Sequence, residues 1–305
     1  MSVLMRPITS LREARDSERL GRMFRRALGR AFIYLGLLVG IALFASPLYW
    51  MIASGVKSEG DVFQYPPNFI PQEIYLQNYP DAINRFPLIN SVKNTLFVVV
   101  MIEIGRLLTS SLAAFGFSRV SFPHRDKIFI LVLSTMMIPY HVTLIPQYLI
   151  FRDLRLLDSL HPLYIPHLFG GGAFFIFLLR QFFLTIPKDY DDAARIDGCG
   201  TFGIYWKIIM PQSLPALGAV AIFTFMWTWE DFLGPLIYVN SPEKHTVALA
   251  YQHWQRGGPI QGAFLKMGWN HIMAMGSVIT LPPILVFFFA QRYFIQGVVV
   301  SGVKG

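Results

Sequence analysis

Residues 185–211 read "TIPKDYDDAARIDGCGTFGIYWKIIMP" and divide an otherwise oily chain. Asp189, Asp191, Asp192 and Asp197 crowd together here, around Ala193 and Ala194. Pro187 suits the first turn of a helix, where an amide N–H has no partner to lose. The aspartates that follow favour the positive end of the helix dipole. Gly198 suits the position just past the helix end, where glycine takes a left-handed backbone cheaply. Thr201 can cap a second short helix, and Pro211 then opens the next apolar run. The expectation is a helix, a sharp turn and another helix. Ala193 and Ala194 leave one surface of the first helix shallow, so a partner protein can approach closely. A solvated amphipathic loop is the plainer reading of the same residues.

The flanking sequence decides where this segment sits. The chain has 305 residues, of which 54% are apolar and 14% charged, with a mean hydropathy of +0.47. A soluble domain carries about 25% charged residues, so the composition points to an integral membrane protein. A spanning helix needs about 20 mostly apolar residues. Six segments meet that, at about 31–56, 89–117, 127–150, 160–183, 208–239 and 270–293. The expected fold class is an all-α membrane protein with six transmembrane helices. Several segments exceed the minimum, so tilt or extension beyond the bilayer is expected.

Lys and Arg counts orient the spans, because cytoplasmic flanks are enriched in them. With the N-terminus inside, seventeen of the 26 basic residues lie in inner segments and eight in outer ones; Arg106 lies within a span. Both termini are therefore expected in the cytoplasm, and the aspartate segment faces the same side. The excess of base, a formal net charge of +8, fits inner loops and anionic lipid rather than nucleic acid. The first 30 residues hold eight arginines, and Arg12, Arg15, Arg19, Arg22 and Arg26 recur at helical spacing. A helix lying on the membrane surface and a frayed topology signal both fit. The apolar run after it is too long for a cleaved leader, and no clean cleavage site follows. The expected divisions are a basic segment at 1–30, a six-helix transmembrane domain at 31–293 with an inner loop at about 185–207, and a tail at 294–305.

Two outer segments stand out. Residues 57–88 are rich in Pro, Asn and Tyr, which argues for an ordered loop without long helices. Residues 240–267 carry Trp254, Gly257, Gly258 and Pro259. Each is either a docking surface for an external partner or a plain connection.

Catalytic signatures are missing from the sequence. It holds no G-x-x-x-x-G-K-[ST] phosphate loop, no H-E-x-x-H, no cysteine pair beside the lone Cys199, and seven scattered histidines. No resident cofactor or metal is expected. Within the spans, Glu103 and Arg106 stand three apart, within ion-pair reach on adjacent turns. They form either a functional pair at membrane depth or a mutually neutralised pair near the inner end. Trp227, Trp229, Glu230 and Asp231, in "FMWTWEDFLGPL", bring rings and carboxylates to the outer half of the fifth span. Rings stack on sugar faces and carboxylates accept from hydroxyls, which suits a polyol path. An aromatic belt at the outer interface fits equally.

The spacing Asp192, Ala193, Ala194, Gly198, nine residues, Ile208, Met210, Pro211 resembles the E-A-A-x-x-x-G-x9-I-x-L-P loop of bacterial ABC importer permeases. Asp192 replaces Glu and Met210 replaces Leu, changes that keep charge and apolarity. The stretches "NYPDAINRFPLINSVKNT", "WEDFLGPLIY" and the ending "QRYFIQGVVVSGVKG" extend the likeness to most of the chain, specifically to the MalG-like permeases of carbohydrate importers. Many relatives have Asn where this chain has Glu230. The resemblance implies a six-helix, MalG-like permease of the type I ABC importer fold, in the bacterial inner membrane. It implies a second, MalF-like permease, a dimer of ATP-binding subunits and an external solute-binding protein as partners. ATP and Mg would sit on the ATPase and not on this chain. The loop from Pro187 to about Thr201 would be the coupling helix, with Asp189, Asp192, Ala193, Ala194, Asp197 and Gly198 against the ATPase. A gradient-driven transporter or channel is the runner-up, and it calls for internal repeats and broken helices; no clear repeat is visible. A membrane enzyme lacks a catalytic constellation.

Overall fold

The computed structural model describes residues 7–257 and 267–299, and among them the chain is helical with no strand. Helix α1 covers Pro7–Gly55, followed by α2 at Glu59–Val62 and α3 at Asn78–Arg85. Helix α4 is Leu88–Arg119. Helices α5 (Arg125–Ser134) and α6 (Tyr140–Asp153) flank a short 3-10 turn. Helices α7 (His161–Leu168) and α8 (Ala173–Thr185) flank a glycine break. The aspartate segment forms α9 (Asp189–Ile196) and α10 (Thr201–Ile204). A π turn at Tyr205–Ile209 leads to α11 (Met210–Gln212), α12 (Leu214–Glu230) and α13 (Leu233–Tyr238). Helices α14 (Val247–Gln255) and α15 (Trp269–Val299) close the chain.

Four stretches are long and apolar enough to cross a membrane, or six if each of two bent pairs counts as one span. The four are Leu28–Gly55, Leu88–Arg119, His161–Thr185 and Trp269–Gln291. The pairs are Arg125–Met137 with Tyr140–Asp153, bent by 90°, and Thr201–Gln212 with Leu214–Glu230, bent by 75°. The third and fifth segments are therefore not the straight spans that hydropathy suggests. Proline explains both bends, since it removes an amide donor and clashes with the preceding turn. Pro139 precedes α6, and Pro211 and Pro215 bracket the corner at Ser213. Pro211 thus lies in the short α11 and does not open the span, which resumes at Leu214. The fifth span also stops at Glu230, short of the expected 239.

Helix α4 is the centre of the molecule and packs against α7, α8, α12 and α14. Helix α1 leans on α15 and otherwise turns its apolar side chains outward, as a lipid-facing helix does. Three apolar clusters fill the interior. The one beneath α9 joins Phe115, Phe183, Ile204, Tyr205 and Ile209. The second, at the 57–88 side, joins Phe86, Trp254 and Met275. The third, beside the cavity described below, joins Val98, Ile102, Tyr164 and Tyr238. Buried amides fasten the second region: Asn78 Nδ2 donates to the carbonyls of Gly55 and Lys57, at 3.0 and 2.8 Å. Asn270 Nδ2 donates to Asn78 Oδ1 at 3.2 Å. Residues 57–88 hold only the short α2 and α3, as their prolines require. The side chains of Arg12, Arg15, Arg19, Arg22 and Arg26, together with Gly258, Pro259 and residues 300–305, lie outside the described residues.

Candidate functional site

A cavity of about 760 Å³ opens between α4, α6, α7, α12 and α13. Its wall includes Arg106, Tyr140, Trp227, Glu230, Asp231 and Tyr238. Helix α12 ends at Glu230 because Asp231 turns extended, with ψ at 112°. The Asp231 carboxylate then accepts the Gly234 amide at 3.1 Å, starting α13. That turn aims Glu230 and Asp231 at the cavity, and both are exposed there. Trp227 lies half exposed against Phe174, Phe175 and Phe223.

Trp229 departs from this group. It is only 5% exposed, stacks on Phe225, and donates Nε1–H to the Ile279 carbonyl at 3.1 Å. Two residues along a helix is about 200° of rotation, so Trp227 and Trp229 point to opposite sides. Of the four residues the sequence groups together, the cavity receives Trp227, Glu230 and Asp231, while Trp229 fastens α12 to α15.

Arg106 is 7% exposed and makes its hydrogen bonds to groups other than Glu103. Its Nε donates to the Gly171 carbonyl at 3.2 Å, and Nη1 donates to Thr224 Oγ1 at 3.1 Å. Nη2 lies 3.0 Å from His167 Nδ1. Since a guanidinium only donates, His167 Nδ1 accepts, which leaves the imidazole proton on Nε2. The guanidinium also covers the Phe175 ring at 4.5 Å, a cation–π contact. One Glu103 carboxylate oxygen is buried without a hydrogen-bond partner. The expected ion pair between them is thus absent: three tertiary acceptors outbid one local carboxylate. Gly170, Gly171 and Gly172 all carry positive φ, at 90°, 61° and 99°. A Cβ on Gly171 would lie 1.8 Å from Ser110 Oγ. The glycine break therefore lets α7–α8 press onto α4 and present its carbonyl to Arg106.

The second candidate surface is α9 and its turn. Asp189, Asp191 and Asp192 lie in the first turn. Lys188 is the N-cap, so Pro187 precedes the helix rather than opening it. Gly198 has φ of 81° and reverses the chain. Gly200 precedes α10, and Thr201 is its first residue with no capping bond from its side chain. The two alanines part company. Ala194 is buried against Ile204 and Tyr205, while Ala193 faces outward with Asp189, Asp192, Asp197 and Gly198. The pair therefore does not form one shallow outer face. Tyr190, Ile196, Phe202 and Trp206 are also exposed on this surface. An apolar patch with a charged rim marks an interaction site, and nothing in the sequence spacing singled it out. Asp191 turns inward, 6% exposed, to meet Arg119. Among the described residues no group of His, Cys, Asp or Glu could hold a metal ion.

Residues 106–300 match the family described as binding-protein-dependent transport system inner membrane component. The chain belongs to that family. It is 32% identical over 263 residues to a probable ABC transporter permease protein of Pyrococcus horikoshii, covering 86% of this chain and 92% of that one. It is 29% identical over 281 residues to the sn-glycerol-3-phosphate transport system permease protein UgpE of Agrobacterium fabrum, covering 90% and 97%. Its fold is similar to a chain of a bacterial ABC transporter involved in the import of the acidic polysaccharide alginate. That match has a TM-score of 0.72 at 22% identity and covers 91% of this chain and 98% of that one. As a member of an inner-membrane family with several apolar spans, the protein is a multi-pass protein of the cytoplasmic membrane. The bent helix pairs, which alone would also suit a gradient-driven carrier, lie within a fold similar to that transporter chain's.

Proposed function

We propose that this chain is half of the translocation path of an ATP-driven importer for a sugar or sugar-like solute. In this reading each bent pair is one span, giving six, with both termini in the cytoplasm. The cavity carries the proposal. Trp227 offers a ring face, and Glu230 and Asp231 offer hydroxyl acceptors, all in one chamber bounded by five helices. Relatives named for glycerol phosphate and alginate transport support a polyol-like cargo.

The outer surface of α9 and its turn would dock a separate ATP-binding subunit, through Asp189, Asp192, Ala193, Asp197 and Gly198. ATP and Mg would be held by that subunit, and this chain would catalyse nothing. A second permease would complete the path and a solute-binding protein would deliver cargo from outside. The support for that last partner is a fold match, with a TM-score of 0.61, to an alginate ABC transporter in complex with a pentasaccharide-bound periplasmic protein.

Purification of the tagged chain from its own membranes tests this. The expected result is stoichiometric recovery of a second permease and an ATPase. A chain that purifies alone and transports on its own would sink the reading.

A further inference from the structure

Arg119 ends α4, and its contacts play no part in the scheme above. Its side chain is 3% exposed, and Nη1 lies 3.1 Å from Asp191 Oδ2, on a side chain that is 9% exposed. Nη2 donates to the carbonyls of Phe183 and Ile186, at 2.5 and 2.6 Å. Phe183 lies in the last turn of α8 and Ile186 is its C-cap residue. Carbonyls at a helix end are short of intrahelical partners, the Phe183 one accepting the Ile186 amide at 3.3 Å, and a cation there is favoured by the dipole. One guanidinium therefore ties the end of α4 to the end of α8 and to the first turn of α9.

A second attachment lies one layer deeper. Ser111 Oγ on α4 and the Tyr205 hydroxyl, in the turn after α10, are 2.7 Å apart. Helix α4 itself is unbroken and proline-free from Leu88 to Arg119. The same helix supplies Thr95, Val98, Ile102 and Arg106 to the cavity wall. A buried ion pair is weak evidence for stability, because apolar residues of similar volume often serve as well. What it adds here is a directional joint between one point on α9 and one point on α4.

We propose that Asp191 and Arg119 are positioning residues that lock α9 to α4, so that a push on α9 moves the cavity wall. This rests on the reading of α9 as the ATPase-docking element. Without the pair, α9 still docks, but the push dissipates in the short connection at residues 186–188.

The test uses the complete transporter in proteoliposomes. The double variant Arg119→Met with Asp191→Leu replaces the pair by apolar side chains and strands no charge. It should retain the ATPase and its basal hydrolysis, while solute carried per ATP falls about tenfold, within the usual range of site-to-site coupling. Asp191→Glu, which keeps the charge, should recover part of that yield. A wild-type yield in the double variant overturns the proposal.

A distance measurement covers the case where the double variant fails to fold. Spin labels at Gly116→Cys, on α4 where an added side chain meets open space, and Arg195→Cys, in a Cys199→Ser background, report the spacing of α4 and α9. The spacing should be equal with and without bound ATP. A change larger than about one helical turn, ~5 Å, overturns the proposal. Ala193→Trp separates this from failure of docking itself. If that variant too keeps full yield and the ATPase does not co-purify with wild type, the docking reading has failed and not the joint.

Discussion

Helix α4 carries two buried arginines whose surroundings differ in kind. Arg106 meets a carbonyl, a hydroxyl, an imidazole and a ring, all uncharged. Arg119 meets a carboxylate and two carbonyls at a helix end. At Arg106 no carboxylate among the described residues reaches ion-pair distance, and Glu103 offsets the charge only through space, so part of it remains in the cavity's field. At Arg119 the charge is consumed by a neighbour that belongs to another functional element. One arginine shapes the chamber, and the other fixes a joint.

Substitutions can break either side of that contrast. The largest effect is expected from Gly171→Val. A β-branched residue at φ of 61° is a genuine outlier, and its Cβ would collide with Ser110 beneath Arg106. The left-handed strain of about 1–2 kcal/mol adds to a clash at 1.8 Å that exceeds ordinary overpacking, about 1–3 kcal/mol. Little folded protein should be recovered from membranes, as judged by monodispersity in detergent. Asp191→Ala comes next, because it strands a buried guanidinium at a cost of about 3–5 kcal/mol. Thermal unfolding in detergent should show it, and the double apolar variant should regain most of the loss.

Arg106→Lys separates charge from shape at the chamber. It keeps the charge but loses the fork that reaches Gly171, Thr224 and His167 together. Orphaned buried acceptors cost about 1–3 kcal/mol, and uptake should fall with little change in ATPase binding. A lysine variant with unchanged uptake would show that only the charge matters there.

The smallest effect is expected far from both arginines, at Asp158. Its carboxylate accepts from Ser241 Oγ, the Ser241 and Asn240 amides and Lys244 Nζ, stapling two loops. The Ser241 bonds above all hold its pKa well below the ordinary carboxylate value. A depressed folded pKa contributes stability above the unfolded value, about 3.9, and loses it as pH falls through the folded one. The melting temperature difference between wild type and Asp158→Asn should therefore be flat from neutral pH to about pH 5 and shrink only below the unfolded pKa, about 3.9.

The four straight spans were legible because lipid demands long apolar runs, and such runs survive any detail of packing. The corners of the two bent pairs were not, because Pro139 and Pro215 are tolerated in membrane helices when neighbours satisfy the freed carbonyls. The turn after α9 was legible through Gly198, whose backbone requirement is local. The burial of Ala194 and the inward turn of Asp191 were not, since a helix face is assigned only by what packs on it. The Glu103–Arg106 spacing permitted an ion pair, yet tertiary acceptors from residues more than sixty positions away decided otherwise. Trp229 shows the same limit, as nothing in "WTWE" says which ring meets Ile279.

The most direct test of the transport account is solute uptake into proteoliposomes holding the whole complex and its binding protein. Uptake should require ATP on the ATPase side and persist when ionophores abolish every ion gradient. Uptake without ATP that follows an imposed gradient would contradict it.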